Sequence, residues 1–494
     1  MVYKYWIYKY RTMNSLRPKN LLFAGFATAC TALSISPAEA NPPKSARPPA
    51  PDKRLNVLFI MADQWRAQAM GYAGDPNVKT PNMDAFAAKN LNFTTAVTAQ
   101  PISSPYRACL ISGQFSTTNG MLTNDLPFHP DGPTLGELFK AAGYMTGYIG
   151  KWHLNGGDRL AFIPPQRRFG FDYWKVMNCT HQYNRSYYWP EYEERMLWPG
   201  YDAFAQADSA MVFMAEAAKT KKPFCMMLSW GPPHDPYGIA PEEFRKMYNQ
   251  ANIVLRENVP TDQAAKWRAD LAGYYAHISA LDHKFGEIVA RLEELGLMDN
   301  TIIVFTADHG DMLGGHGYEK KSHPQDESIR VPFLMHLPGA KARVIDEPLT
   351  TPDILPTLLD LCGIAIPGSV QGRDFRPLVE GKVTTLGDAA LVIWPLKRLP
   401  YGLNEYRCVR TMRYTYAEEL TGPWLMFDNE TDPYQMNNLV GKKGYEALQA
   451  ALKAKLYASL KAANDTFKDE TYYARKFGVR VAPQPSKAAQ KNNE

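Results

Sequence analysis

Four short stretches of this 494-residue chain carry residues whose types and spacing could do chemistry. The first is Ser103-Ser104-Pro105-Tyr106-Arg107. Pro105 suits the first turn of a helix, where its missing N–H would have been unpaired and its fixed φ fits, so a helix is expected over 105–112 with Ser103 just ahead of it. A hydroxyl there lies among unpaired N–H groups that favour an incoming oxyanion, and Arg107 follows within about a turn, near enough to reach back to the same charge. Taken alone, the pattern equally describes a capping serine before an ordinary helix. The second stretch is a pair, Asp63-Gln64 and Asp308-His309. Two carboxylates, an amide oxygen and an imidazole form an oxygen-rich set suited to a hard divalent cation, with calcium preferred to magnesium because the ligands are numerous and all come from protein. Singly, an aspartate ending a strand also serves as a turn or cap residue.

The third stretch is Gly150-Lys151-Trp152-His153-Leu154. Lys151 and His153 alternate, so on an extended segment both side chains point to one face. The fourth is His234 in S-W-G-P-P-H-D-P, where three prolines restrict the backbone. A rigid loop suits a general acid that must protonate a leaving oxygen, and it suits a structural turn as well.

The elements that must position these residues are legible as apolar runs. Val57 to Met61, Met145 to Ile149, Phe224 to Leu228 and Ile302 to Phe305 have the length and composition of buried strands, while Leu271, Ile278, Leu281, Phe285, Ile288, Leu292 and Leu295 mark a helix stripe ending at Gly296. Strands alternating with helices predict an α/β fold, a large mixed and mainly parallel sheet with helices on both faces. In such sheets chemistry collects beyond the carboxyl ends of the strands, and Asp63-Gln64, Lys151 with His153, His234 and Asp308-His309 all follow the runs at that position. Past about residue 376 a smaller α+β unit is expected, with strands in Arg407 to Ala417 and Trp424 to Phe427 and a last helix presenting Leu448, Leu452, Leu456 and Leu460 on one face. The expected organisation is a signal peptide over 1–40, a proline- and charge-rich leader over 41–54, a catalytic domain over 55–375, a C-terminal subdomain over 376–483 and a polar tail over 484–494.

The first 40 residues set the destination. Arg17 and Lys19 precede the apolar run Leu21 to Ile35, and Ala38-Glu39-Ala40 offers small residues for cleavage, which together read as a secretory signal and predict an exported, periplasmic or secreted protein. The run is too short for a stable membrane span. The formal charge of +5 is mostly these first 40 residues, which carry a net +4, so nothing points to a nucleic-acid partner. Apart from Cys30, Cys109, Cys179, Cys225, Cys362 and Cys408 are scattered and odd in number, neither a disulfide framework nor a zinc spacing.

The stretch Ser103 to Arg107, running on as A-C-L-I-S-G-Q to Gln114, resembles the C/S-x-P-x-R signature of the type I, formylglycine-dependent sulfatases of the alkaline phosphatase superfamily, in their serine-type form. G-K-W-H-L, the segment D-H-G-D-M-L-G-G-H-G-Y-E-K-K-S-H-P from Asp308, and D-P-Y-Q-M-N-N-L ending at Leu439 follow in the family's order. The resemblance implies that a serine-type maturating enzyme oxidises Ser103 to formylglycine before export, and that the cation, held by Asp63, Gln64, Asp308, His309 and residue 103, binds a sulfate oxygen. It implies further that the formylglycine hydrate attacks sulfur to give a covalent sulfo-enzyme, that His234 protonates the leaving oxygen, and that His153 takes the proton that lets sulfate depart. Lys151, Arg107 and Lys321 supply positive charge, Lys321 being selected over Lys320 by the family's H-G-x-x-x-K spacing. Gln64 departs from the family's frequent Asp-Asp pair. The D-P-Y-Q-M-N-N-L box reads as a structural join. The implied substrate is a sulfated small molecule or glycan, most simply a sulfated carbohydrate. A phosphonate or phosphodiester hydrolase, or an unmatured, inactive glycan-binding protein, fits the same residues.

Overall fold

The computed structural model describes residues 54–398 and 402–479, all within one compact unit, Pro51–Glu494. The expected signal peptide, the leader up to residue 53 and the tail from 484 lie outside the described residues. Among the described residues no helix is long and apolar enough to cross a membrane.

The apolar runs become the strands of one eight-stranded sheet: β1 (Asn56–Asp63), β2 (Leu91–Phe93), β3 (Met145–Lys151), β4 (Tyr173–Met177), β5 (Phe224–Pro233), β6 (Thr301–Ala307), β7 (Phe333–His336) and β8 (Arg343–Ile345). Their order is β8-β2-β7-β6-β1-β5-β3-β4. Only β7 runs antiparallel to its neighbours; the remaining pairs are parallel. Every residue of β1, β5 and β6 is buried. A strand buried on both alternating faces needs a layer on each side, which is why these segments read as continuous apolar runs rather than as alternation.

Three helices matter for the site: α1 (Ser103–Ser112), α2 (Asp202–Thr220) and α3 (Ala264–Glu294). The stripe read from the sequence is the buried face of α3, with Leu271, Ile278, Leu281, Phe285, Ile288 and Leu292 in the core. Gly296, at φ 65°, takes the left-handed conformation just past its end. α1 begins at Ser103 itself, two residues earlier than the proline suggested. The first turn of a helix has no intrahelical acceptors for its N–H groups, so Pro105 sits at the third position without losing a bond.

The C-terminal elements form a four-stranded antiparallel sheet, β9 (Ala390–Trp394), β10 (Tyr406–Arg410), β11 (Tyr414–Glu419) and β12 (Gly422–Asp428). The expected run Arg407 to Ala417 is therefore two strands, because the chain reverses at 411–413. α4 (Glu446–Ala462) buries Leu452, Leu456 and Leu460 as expected, but it is not last: α5 (Glu470–Phe477) follows, opened by Asp469, whose side chain accepts from the Tyr472 N–H.

Alternate residues of β9 join two cores. Leu391 and Ile393 pack with Leu452 and Leu456 of α4 and with Cys109 of α1, while Ala390, Val392 and Trp394 pack with Ile102 and Ile329. The Ile393 N–H also donates to the Ala99 carbonyl at 2.7 Å. This small sheet thus clamps the chain that leads into Ser103. Gln435, in the D-P-Y-Q-M-N-N-L box, accepts from the Asp326 N–H at 2.8 Å and donates to Thr415 Oγ1 at 3.1 Å. The box thus ties the C-terminal sheet to Asp326, the joining role its resemblance implied.

Candidate active site

Four neighbouring parallel strands, in the order β6-β1-β5-β3, end side by side. Their carboxyl ends carry Asp308, Asp63, His234 and Lys151 to one edge of the sheet, which is how residues up to 245 positions apart come together. Gly150, at φ 98°, allows the closest approach: a Cβ there would stand 2.0 Å from the Ser229 carbonyl oxygen on β5. No other residue fits that position.

Ser103 is 1% exposed. Its Oγ lies 3.2 Å from His309 Nε2 and 3.5 Å from Asp63 Oδ2. Asp63 is ion-paired with the Lys151 ammonium, and the Arg107 guanidinium stands 3.3 Å from Asp308 and 3.7 Å from Asp63. Arg107 is held by the Lys151 carbonyl at 2.8 Å and by Ser229 Oγ at 2.6 Å. Burial alone would neutralise these groups. The Lys151 ammonium above all, with Lys321 also facing it, outweighs burial and holds the Asp63 carboxyl well below the usual range, while Asp63 in turn outweighs burial at Lys151 and keeps that ammonium charged.

Asp63, Asp308 and His309 offer ligand atoms within 4.8 Å of one another. His309 Nδ1 faces the Gly310 carbonyl at 2.9 Å, an acceptor only, so Nδ1 carries the proton and Nε2 presents a lone pair. That lone pair points at Asp308 and Asp63 oxygens 3.5 and 3.6 Å away. Burial pushes the His309 pKa down to about 4, which keeps it a neutral donor. Asp63 Oδ1 is buried and, among the described residues, has no hydrogen-bond partner. Three acceptor groups converging without a proton between them, one of them orphaned, fit a bound cation. Gln64 is at this edge too, its N–H donating to Asp308 Oδ1 at 3.0 Å, but its amide oxygen accepts from Lys321 at 2.8 Å and its amide nitrogen donates to Asp311 at 2.8 Å.

The second half of the site is His234 with Lys321. Lys321 Nζ stands 3.0 Å from His234 Nε2, and burial lowers its pKa to about 8. Lys320 instead reaches outward to Asp235 at 3.4 Å. His316 and His323 stand apart, the first 3.2 Å from Asn258 and the second stacked on Tyr318.

His153 departs from the extended geometry its spacing suggested. β3 ends at Lys151, and His153 has φ 57°, so the two side chains do not share partners. Lys151 turns to Asp63, whereas His153 Nε2 faces Asp125 at 3.1 Å. The Ser104 hydroxyl donates to the His153 carbonyl at 2.6 Å, tying it to the residue beside Ser103. Asp125 was invisible in the sequence, as were His181, which stacks flat on His234 at 4.2 Å, and Asp311, buried and pushed up to about 6. None belongs to a motif, and each is found only through its partner in space. Of the other polar residues near these motifs, Arg407 is fully buried against Asp465, and Trp394 packs on Tyr406.

Residues 55–364 match the family described as Sulfatase, and residues 314–462 match N-sulphoglucosamine sulphohydrolase, C-terminal. The chain is 43% identical over 430 residues to an ulvan-active sulfatase of Formosa agariphila, an alignment covering 85% of this chain and 84% of that protein. It is 32% identical over 447 residues to an endo-4-O-sulfatase of Bacteroides thetaiotaomicron, covering 78% and 87%. A solved structure described as BT4656 in complex with its substrate D-glucosamine-2-N,6-O-disulfate superposes with a TM-score of 0.73 at 26% identity, over 84% of this chain and 99% of that one. With its helix-flanked, mainly parallel sheet and its converging Ser103, Asp63, Asp308 and His309, this chain belongs to the sulfatase family and has the alkaline-phosphatase-like fold.

Proposed function

We propose that this protein is an exported hydrolase of sulfate esters on a sulfated carbohydrate, acting after a serine-type maturating enzyme has oxidised Ser103 to formylglycine. The observation that carries the reading is the placement of Ser103 Oγ in the first turn of α1, beside the His309 lone pair and Asp63. Its relatives act on ulvan and on sulfated glucosamine, by their descriptions, which supports a glycan as substrate.

Oxidised and hydrated, residue 103 supplies one hydroxyl to attack sulfur and a second whose deprotonation expels sulfate from the resulting sulfo-enzyme. Asp63, Asp308 and His309, with Gln64 beside them, would hold a cation, which when bound would supply positive charge to a sulfate oxygen; the hard oxygen donors favour calcium over magnesium. The chain's own residues do the rest. Lys151, Arg107 and Lys321 place fixed positive charge around sulfate in a site closed to water, where it counts most. Lys321 and His234 hold the proton that the leaving sugar oxygen requires. His153, whose buried Nδ1 has no partner among the described residues, is the base for residue 103.

The test is to produce the protein with and without a serine-type maturase and to assay sulfate release from sulfated oligosaccharides, beginning with ulvan fragments. Release only from the matured protein, and faster than from phosphonate or phosphodiester analogues, is expected. Equal or faster cleavage of the phosphorus esters would overturn the reading.

A further inference from the structure

His153 is pinned at both ends of its backbone. Its N–H donates to the Asn178 carbonyl at 2.7 Å, and its carbonyl accepts from Ser104 Oγ at 2.6 Å. The ring is 2% exposed, and each nitrogen has a distinct environment. Nε2 faces Asp125 Oδ1 at 3.1 Å. Nδ1 is buried and, among the described residues, has no partner. A buried lone pair without a donor is costly, so a chain that retains one at its reaction centre keeps an acceptor ready for a proton.

Asp125 is itself fixed from outside. Arg159 Nε and Nη2 grip its two carboxylate oxygens at 2.9 and 2.6 Å, the bidentate fork that sets orientation as well as charge. Both residues are partly exposed at the mouth of the site, Asp125 at 34% and Arg159 at 43%. His153 and Arg159 outweigh the effect of burial and hold the Asp125 carboxyl well below the usual range, so it stays an anion that can only accept.

On the reading above, in which His153 serves residue 103, we propose that Asp125 is the positioning residue of that base: it holds the proton on Nε2, aims Nδ1, and is locked in place by Arg159. Asp125 does not itself gain the proton. When Nδ1 takes one from residue 103, the ring becomes a cation in a pocket that already holds Lys151 and Arg107, and Asp125 is the anion bonded to that ring. Burial, then Lys151, push the His153 pKa down to about 3, and the Asp125 bond is the largest influence opposing them. The arrangement parallels the buried aspartate of hydrolase triads, which fixes the tautomer and stabilises the imidazolium.

Two experiments decide it. In the unmatured serine protein, nitrogen-15 NMR of the histidine rings should show His153 neutral with its proton on Nε2, and Asp125→Ala should abolish that preference; a proton on Nδ1 in the parent protein overturns the proposal without reference to activity. In the matured enzyme, Asp125→Ala should lower kcat by roughly 10- to 10²-fold, the usual effect of removing a functional histidine's outer partner, with KM little changed. Asp125→Asn, which keeps an acceptor but no charge, should fall between, and both should retain sulfate on residue 103 by mass spectrometry. In a His153→Ala background Asp125→Ala should add nothing. An equal further loss there overturns the positioning role, as does an Arg159→Ala variant that raises KM and leaves kcat intact. If His153→Ala is itself fully active, the role of His153 fails instead, and that outcome is distinct from the others.

Discussion

Lys321 Nζ lies 3.0 Å from His234 Nε2, and His234 Nδ1 lies 2.9 Å from the Asp235 carbonyl. A carbonyl only accepts, so the imidazole proton is on Nδ1, and Nε2 accepts a hydrogen bond from the lysine ammonium. Burial, then Lys321, hold the His234 pKa well below its ordinary value. On the proposed mechanism the proton that a leaving oxygen needs is stored on the lysine, with the imidazole beside it. A sugar alkoxide requires this proton and a nitrophenolate largely does not. His234→Ala and Lys321→Ala should each lower turnover of a sulfated sugar by on the order of 10² to 10⁴, and of nitrophenyl sulfate far less. The double variant should be little worse than either single one, because the two act as a unit. Equal losses on both substrates would refute the assignment.

Residue 103 should be about two mass units lighter than serine in protein made with a maturase and unchanged without it, the difference being the two hydrogens removed in forming the aldehyde. Ser103→Ala should abolish turnover. Cys109, two residues past Arg107, is fully buried and its thiol is pushed up to about 12 by burial, so Cys109→Ala should keep full activity. Tryptic mass spectrometry and a sulfate-release assay check both statements.

Prolonged chelation should remove activity, and calcium should restore it better than zinc, because the donor set is rich in hard oxygen. Asp63→Ala and Asp308→Ala should resemble the chelated enzyme whatever cation is added. Elemental analysis of the chelated sample is the control: a verified metal-free protein with an unchanged rate would exclude the site.

Asp202, the first residue of α2, is buried, and one of its carboxylate oxygens has no partner among the described residues. Burial pushes its pKa up to about 7. Between the ordinary carboxyl value and 7 the folded state holds one proton more than the unfolded state, so stability falls as pH rises through that window and is then constant. At about 1.36 kcal/mol per unit, the loss is on the order of a few kcal/mol. Asp202→Asn should accordingly melt higher than the parent at pH 8, with the advantage gone near pH 4. The same advantage at both values would mean the carboxyl titrates normally.

The strands were readable because their physics is local. Val57 to Met61 and Ile302 to Phe305 are unbroken apolar runs since both faces are covered, and Asp63 and Asp308 stand out as the first polar residues past their ends. The α3 stripe and its stop at Gly296 obey the same short-range rules. The motif residues around Ser103, His153 and His234 could likewise be named in advance, because their neighbours in the chain carry the pattern. What they touch could not. The left-handed turn at His153 sends it to Asp125 rather than alongside Lys151. The left-handed Gln64 turns its amide oxygen to Lys321. The choice of proton-bearing nitrogen on His234 and His309 rests on carbonyls in the turns that follow them. The first two are contacts between segments distant in the chain, and the strands that lead to the site stand in the order β6-β1-β5-β3, which is not sequence order. Apolar periodicity specifies which segments are buried; it is the packing of non-consecutive strands into one sheet that specifies which polar groups meet at its edge.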